Sequence, residues 1–333
     1  MSLNNFRLNW VDQTRGLSIF LVVYGHNFPV IEPYIYSVHV PLFFFISGMF
    51  HKAPISKESI THRAKSLLIP YFLWASLLYL FWFFAGRNFG KSSTLNLSPI
   101  DNFIGIFYAQ GGQQYMDWGI PLWFLPCLFL VYYFYGWLGR IVQTRFMDSA
   151  VLFLGVLGLV LAKFVSISLP WSIDVALVAL VYYRLGHLLK DPLTALSIKN
   201  SILISGVMLG IHLTAFYLNP VKIDMYRSIY GNPLLFFLSG AAGSLTYLLL
   251  FKVLPELKLL SYLGRHSIVI LATHIRALTL IKGLIYLVLG TTVFVFNEWA
   301  KFWLSIFQLT LLVPLIWVVN KTFPILDGKQ KQN

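Results

Sequence analysis

The most regular feature of this chain is a succession of long apolar segments separated by short polar ones. A helix that crosses the hydrocarbon core of a bilayer needs about 20 predominantly apolar residues. Segments of roughly this kind lie at 11–31, 34–51, 64–86, 120–139, 149–168, 171–189, 200–218, 233–251, 266–290 and 300–320. The pattern predicts an all-α, polytopic integral membrane bundle of about ten transmembrane helices, formed by residues 1–333 as a single domain.

Basic residues are unevenly distributed between the predicted helices. One side holds sixteen of them: Arg7, Lys52, Lys57, Arg63, Lys65, Arg140, Arg145, Arg184, Lys190, Lys199, Lys252, Lys258, Arg265, Lys321, Lys329 and Lys331. The other side holds only Arg87, Lys91, Lys222, Arg227 and Lys301. The positive-inside rule assigns the richer side to the cytoplasm. Both termini are then cytoplasmic, with 321–333 as a cytoplasmic tail, and the polar stretch 87–119 is an outer loop region that could cover an outward-facing site.

Composition supports a membrane protein and argues against other classes. Hydrophobic residues make up 58% of the chain and charged residues 11%, with a mean hydropathy of +0.72. The net charge of +13 would suit nucleic acid, but the basic residues are scattered between apolar segments rather than gathered in a patch. We therefore expect a lipid bilayer and no nucleic acid as partner. Because Cys127 is the single cysteine, an internal disulfide and a multi-thiolate metal site are excluded, and we predict no metal.

Ionisable side chains inside apolar segments are costly, so they mark candidate functional positions. Arg15 and His26 lie eleven residues apart in the first segment, which places them about 16 Å apart along a helix and on nearly the same face. His39 lies early in the second segment, at a depth similar to that of His26, so the two imidazoles could meet. The alternative is that each histidine only bonds a neighbouring backbone carbonyl. The pair above a buried Arg15 favours a functional cavity, with neutral imidazole available as a general base.

Arg63 and Lys65 lie at the predicted cytoplasmic mouth of the third helix. The pair fits an ordinary positive-inside flank. It would equally suit a phosphate-bearing donor, because arginine offers planar bidentate contacts and lysine a point charge. The residues alone leave both interpretations open.

Further ionisable residues lie in the later segments. His274 and Arg276 fall inside the ninth predicted helix, which favours a face that lines a polar cavity over snorkelling or a paired structural role. Asp174 stands at the outer start of the sixth helix. It fits a helix-terminus group, although its charge could also serve an acceptor site.

Several motifs, in their order and spacing, resemble the acyltransferase 3 family of bacterial integral-membrane acyltransferases, in particular the branch of fucose 4-O-acetylase and related acetyltransferases. The resemblance covers nearly the whole chain. It rests on WVDQTRG at 10–16 with His26, HVPLFFFISG at 39–48, PLWFL at 121–125, Asp174 with YYRLG at 182–186, and YLGRHS at 262–267 with His274.

The resemblance implies a membrane O-acyltransferase that moves an acyl group, usually acetyl, from cytoplasmic acyl-CoA to a hydroxyl. The donor would be acetyl-CoA, the acceptor a surface polysaccharide or its lipid-linked precursor, and the location the bacterial inner membrane. The resemblance also implies that Arg15 and His26 are essential, with His26 the base or a transient acyl carrier. From the residues themselves, we expect His39 to be the partner that orients His26. In the family, two basic residues three apart often precede the helix-three proline, whereas here Ser66 follows Arg63 at that spacing, with Lys65 alongside.

These considerations assign residues to three expected roles. Catalysis falls to His26, Arg15 and His39; donor binding to Arg63, Lys65 and Arg15; and acceptor binding to His274, Arg276 and Asp174. A transporter or flippase for a glycan or lipid-linked anion is the alternative from another class, because buried cations and histidines also mark substrate pathways. O-succinyl transfer remains a further alternative. A non-catalytic scaffold would leave the intramembrane charges without a purpose.

Overall fold

A computed structural model describes residues 8–88, 90–165, 169–291 and 294–329. Within them the chain is helical, and the β pairing is limited to an isolated bridge between Asp224 and Ile229. The α-helices are α1 (Asn9–Gly25), α2 (Glu32–Tyr36), α3 (His39–Met49), α4 (Lys57–Phe84), α5 (Gly90–Thr94), α6 (Pro99–Tyr108), α7 (Gln113–Met116), α8 (Phe124–Ile141), α9 (Met147–Phe164), α10 (Ile173–Ala195), α11 (Ile198–Leu218), α12 (Pro233–Val253), α13 (Lys258–Arg265), α14 (Ser267–Leu289) and α15 (Glu298–Thr322).

Eight helices in the described residues are long and apolar enough to cross a membrane. They are α4, α8, α9, α10, α11, α12, α14 and α15, some of them extended by a preceding 3-10 turn. These helices correspond to the third to tenth segments of the sequence pattern. The all-helical, multi-pass architecture is therefore confirmed, and the cytoplasmic position of the termini stays a prediction.

The first two predicted spans differ from the helices that form. α1 has 17 residues and ends at Gly25 instead of 31, and the segment 34–51 divides into α2 and α3. Because proline has no N–H to donate, Pro41 belongs in the first turn of a helix, and a new helix accordingly begins at His39. The 11 residues of α3 extend only about 16 Å, roughly half of the ~30 Å hydrocarbon core. The second segment is therefore not a single spanning helix.

Close contact between α1 and α13 helps to form the region in which the candidate site lies. A Cβ atom on Gly16 would lie 1.9 Å from the Leu260 carbonyl oxygen, and one on Gly264 would lie 2.0 Å from the Asp12 carbonyl oxygen. A larger residue at either position would force the helices apart, since real Cβ contacts are never this short. This packing holds the start of α1 against the segment that carries Arg265.

The stretch 87–119, predicted as an outer loop region, contains α5, α6 and α7 and is pinned by a buried asparagine. Asn102 Nδ2 donates to the Gln114 carbonyl oxygen at 2.9 Å, and its Oδ1 accepts from the Asp117 backbone N–H at 3.0 Å. Trp118 Nε1 donates to the Asn102 carbonyl oxygen at 2.9 Å. Because Asn102 and Trp118 are fully buried, these bonds fix the stretch where it leads into the 3-10 turn Ile120–Trp123.

Candidate active site

A cavity of about 370 Å³ lies among the ends of several helices. Its walls come from α1, α3, the start of α4, the turn Ile120–Trp123 with the start of α8, and the junction of α13 with α14. Residues 224–226 line one end and residues 327–329 the other. We call the end that holds Arg15, Arg63, Arg265 and Lys329 the basic end, and the end that holds Asp224 and Tyr226 the loop end. The volume is in the range of small-molecule sites.

One face of α1 runs along this cavity. Arg15, Ile19, Val22 and His26 all line it, at spacings of three and four residues that repeat one side of a helix. Arg15 lies near the start of α1 and His26 is its C-cap residue. The two ionisable residues therefore share a face, as their spacing predicts, with the arginine at the basic end and the histidine about 16 Å further along the axis.

The His26 ring is held by two contacts to its Nδ1 atom. Nδ1 lies 2.7 Å from the Val22 carbonyl oxygen and 3.4 Å from Nε2 of His274, whose ring packs edge to face at 4.8 Å between centroids. Because a carbonyl oxygen can only accept, Nδ1 is the nitrogen that carries the proton in the neutral ring. Nε2 then has a lone pair and no hydrogen-bond partner among the described residues. This is the arrangement that a general base requires.

His274 lies behind His26 and does not line the cavity, although we predicted it as an acceptor-binding residue. It is fully buried, and its Nδ1 lies 2.9 Å from the Ile270 carbonyl oxygen, which leaves Nε2 to accept from His26. Gln308 Nε2 donates to the His274 carbonyl oxygen at 3.0 Å, and Asn27 Nδ2 donates to Gln308 Oε1 at 2.7 Å. His274 therefore orients His26 and is itself tied to α15.

Two polar residues of α15, Ser305 and Gln308, support the site although the sequence pattern did not identify them as site residues. Asn27 Nδ2 also lies 2.7 Å from Ser305 Oγ, so Ser305 and Gln308 together hold the turn that follows His26. Both side chains are fully buried. Two polar residues three apart in the otherwise apolar segment 300–320 share a helix face, and this spacing was the signal available.

His39 lines the cavity at the start of α3. Its Nδ1 lies 2.7 Å from the Ile35 carbonyl oxygen, its ring packs edge to face on Tyr36, and Ser18 Oγ donates to its carbonyl oxygen at 2.8 Å. His26 and His39 thus each bond the backbone carbonyl four residues earlier, which is the alternative to a functional role that the sequence left open. Both histidines also face the cavity. The partners that hold the His26 ring are Val22 and His274.

Among the described residues, four cations and one carboxylate line the basic end. Arg15, Arg63, Arg265 and Lys329 line it, together with Asp327. Arg15 has an ion pair with Asp12 at 3.6 Å. The Arg63 guanidinium lies 5.6 Å from the centre of the Tyr132 ring, and its buried Nε atom has no hydrogen-bond partner in the part of the chain that the structure describes. The excess of positive charge makes this end complementary to a polyanion.

The structure separates the two residues that we predicted as a donor-binding pair. Arg63 lines the cavity, whereas Lys65 is exposed on α4 and is not among the lining residues. The basic end instead includes Arg265 and Lys329, for which the distribution of charge along the chain predicts only a cytoplasmic position. Arg265 lies in the YLGRHS motif, which could have identified it as a site residue. Lys329 lies in the predicted tail, where no sequence feature marked it.

The loop end is lined by Tyr36, Asp224 and Tyr226. Burial raises the pKa of Asp224 to about 6, with Arg227 and Lys222 partly opposing that shift. Lys222 pairs with Glu32 at 2.6 Å, and its Nζ lies 4.4 Å from the centre of the Tyr36 ring. This combination of a carboxylate, phenols and aromatic faces can bind hydroxyl groups.

Asp174 supports this loop from outside the cavity. It is buried, does not line the cavity, and accepts a hydrogen bond from the Ser228 hydroxyl. Ser228 has a φ of 55° and directly precedes Ile229, whose bridge to Asp224 closes the turn. Asp174, predicted to bind acceptor, therefore contacts the loop that carries Asp224 and Tyr226.

Arg276 also faces away from the cavity. Its guanidinium donates to the backbone carbonyl oxygens of Asp117 at 3.0 Å and Trp118 at 2.6 Å. Arg276, which the sequence predicts to bind the acceptor, therefore joins α14 to the end of the stretch 87–119 instead. The cost of a cation inside an apolar helix is offset by these two carbonyl oxygens.

Comparison with known proteins agrees with this geometry. A family model described as an acyltransferase domain, Acyl_transf_3, matches residues 8–320. Neither the curated proteins nor the solved structures gave a match. The matched range includes both cavity histidines and three of the four cations of the basic end, and it stops before Lys329. The chain therefore belongs to the acyltransferase 3 family, as a multi-pass membrane acyltransferase.

Proposed function

We propose that this protein is an O-acyltransferase of the bacterial inner membrane. It moves an acetyl group from cytoplasmic acetyl-CoA to a hydroxyl of a cell-surface polysaccharide or of its lipid-linked precursor. The observation that carries the proposal is that one cavity has four cations at one end, two histidines along its wall, and a carboxylate with two phenols at the other end.

The basic end suits the donor. Acyl-CoA carries its negative charge on phosphate groups that lie far from the thioester, at the other end of an extended pantetheine arm. Arg15 and His26 are about 16 Å apart along α1, a separation of the same order as that arm. Phosphates at Arg15 and Arg63 would therefore leave the thioester near His26. At this distance Arg15 binds the donor and does not touch the reacting carbonyl.

The reaction needs a base at the thioester. In the proposed step, His26 Nε2 takes the proton of the acceptor hydroxyl while the hydroxyl oxygen bonds to the thioester carbonyl carbon. The carbon–sulfur bond then breaks, and the sulfur leaves as thiolate and takes the proton from His26. The products are the O-acyl ester and free CoA thiol, and His26 returns to its starting form. Transient acylation of His26 would use the same nitrogen.

The proposal is tested by transfer with purified protein in liposomes. Acetyl-CoA labelled in the acetyl group is supplied with glycan extracted from a strain that lacks the gene, and incorporation of label into glycan is measured. Loss of one acetyl mass from the surface glycan of that strain is the matching observation in cells. Uptake of glycan into the liposomes without acetyl-CoA consumption would indicate a transporter, and use of succinyl-CoA alone would replace the acetyl group by succinyl.

Replacing Arg63 by alanine is expected to raise the KM for acetyl-CoA about tenfold, because a charge-assisted hydrogen bond to phosphate contributes roughly 1.5 kcal/mol or more. The kcat should change little, since the contact exists before and during reaction. Lys65→Ala, two positions away but exposed outside the cavity, should have a much smaller effect. If steady-state kinetics shows the same change in the KM for acetyl-CoA for both substitutions, Arg63 and Lys65 form an ordinary positive-inside flank.

Acceptor binding is expected to weaken as the pH falls below about 6, where Asp224 becomes protonated. The raised pKa means that the carboxyl is neutral below that pH and a carboxylate above it, and the carboxylate is the stronger acceptor for sugar hydroxyls. The charged and titratable groups around it are Glu32, Lys222, Tyr226 and Arg227, with Tyr36 nearby. The measurement is the KM for glycan between pH 5 and 8. Asp224→Asn should remove the dependence near pH 6, and a dependence that persists in this variant would assign it to another group.

A further inference from the structure

The chain folds back onto the cavity after its last helix. α15 ends at Thr322, and the 3-10 turn Pro324–Asp327 leads to Gly328, which has a φ of 70°. Trp74 Nε1 donates to the Leu326 carbonyl oxygen at 2.9 Å. A Cβ atom on Gly328 would lie 2.6 Å from the Ser66 carbonyl oxygen. Residues 324–329, which we call the C-terminal latch, are thus docked against α4 beside Arg63.

A buried carboxylate fixes the end of the latch. The Asp327 side chain is 1% exposed, and its Oδ2 lies 2.7 Å from His266 Nδ1 and 2.6 Å from Lys329 Nζ. Lys329 Nζ also donates to Asn320 Oδ1 at 2.5 Å. His266 lies at the α13–α14 junction and Asn320 lies on α15, so these two elements and the latch itself hold the lysine in one place. This network sets the direction of Lys329.

Lys329 keeps part of its ammonium group available. An ammonium has three N–H donors, and the bonds to Asp327 and Asn320 use two of them. His266 Nδ1, 3.2 Å away, already donates to Asp327 and cannot accept. The Lys329 side chain is 42% exposed and lines the cavity. A ligand in the basic end can therefore receive the third hydrogen bond.

We propose that Lys329 is a donor-binding residue, which the C-terminal latch places against a phosphate group of acyl-CoA. Its charge adds to those of Arg15, Arg63 and Arg265, and Asp327 is the carboxylate that lines this end. Cations gathered around one cavity repel each other until a polyanion binds between them. The inference rests on the proposed function but goes beyond the family, because the latch lies outside the matched residues 8–320.

The test compares acetyl-CoA binding by calorimetry with steady-state kinetics, using the full-length protein in nanodiscs. Lys329→Ala, and Lys329→Met, which keeps an apolar stem, are expected to raise both the Kd and the KM for acetyl-CoA about tenfold without lowering kcat. Lys329→Arg should stay near wild type. The control is Lys321→Ala, since Lys321 is exposed on α15, stacks on Trp317 and does not line the cavity.

The outcomes separate this inference from the proposed function. A wild-type Kd in both Lys329→Ala and Lys329→Met, with wild-type protein that binds acetyl-CoA and transfers the acetyl group, overturns the role of Lys329 alone. A lowered kcat at unchanged KM would also overturn it, because that result indicates a structural role. If the wild-type protein binds no acetyl-CoA at all, the proposed donor is wrong, and the inference fails with it.

Discussion

Replacing His26 by glutamine is expected to lower the rate of acyl transfer by about 10²–10⁴-fold, the usual contribution of a positioned general base. Glutamine keeps hydrogen-bonding capacity at the end of α1 but can neither take the hydroxyl proton efficiently nor carry an acyl group. Because glutamine is uncharged and adds no ionisable group to the segment, the protein should still insert into the membrane. The measurement is single-turnover transfer at saturating acetyl-CoA, together with the amount of protein in the membrane.

Two matched histidines sharpen this test. His62→Gln changes an exposed residue on α4 and should leave transfer unaffected. His274→Gln removes the group that packs on the His26 ring and should lower kcat by a smaller factor, with acetyl-CoA binding preserved. Near wild-type transfer by His26→Gln would exclude the base role, whereas failure of His26→Gln and His26→Ala to accumulate would make His26 a structural residue.

Removing Arg15 is expected to lower kcat/KM for acetyl-CoA by about 10–100-fold, the effect of losing a hydrogen bond to a charged group that is worth roughly 1.5–3 kcal/mol. The loss should fall mainly on KM, since position 15 is about 16 Å from position 26 along the axis of α1 and Arg15 binds the donor away from the reacting atoms. Arg15→Lys should recover part of it, because lysine keeps the charge but not the planar bidentate contact. Steady-state kinetics over a range of acetyl-CoA concentrations measures each variant.

A second effect has to be separated from this one. Asp12 is 5% exposed and forms an ion pair with Arg15, so Arg15→Ala leaves a buried carboxylate without that cation. The double variant Asp12→Asn, Arg15→Ala removes both charges and should restore protein abundance without restoring donor affinity. Recovery of a wild-type KM in the double variant would contradict the donor-binding role. Arg145→Ala, an exposed arginine outside the cavity, is the control.

Eight long helices were predictable from the sequence because hydrophobic runs of spanning length need no knowledge of their neighbours. The first two segments were not, because apolar character persists through residues where the backbone turns. Pro41 marks the break before α3, but the end of α1 at Gly25 also depends on Asn27, which bonds Ser305 and Gln308 from the far end of the chain. Hydropathy along the chain contains no information about such contacts.

The shared face of Arg15 and His26 was also predictable, since helical periodicity within one element fixes it. The directions of His274, Arg276 and Asp174 were not. Each is an intramembrane or helix-end ionisable residue, and each bonds protein atoms of another segment instead of facing the cavity. The cost of burial says that such a residue must have a partner, and it does not say which one.

The sequence by itself therefore determined the multi-pass helical class, the family resemblance and the alignment of Arg15 with His26, because each depends on local composition, motif order or the periodicity of one helix. Only the tertiary structure decided which charges meet. It separated Arg63 from Lys65, joined Arg265 and Lys329 to the basic end, and brought Asp224 to the loop end. Tertiary contacts join residues that are far apart in the sequence; Asn27 and Gln308, for example, are more than 200 positions apart. Such contacts depend on how the helices pack and where the loops bring the chain back, which the pattern of residues along the chain does not specify.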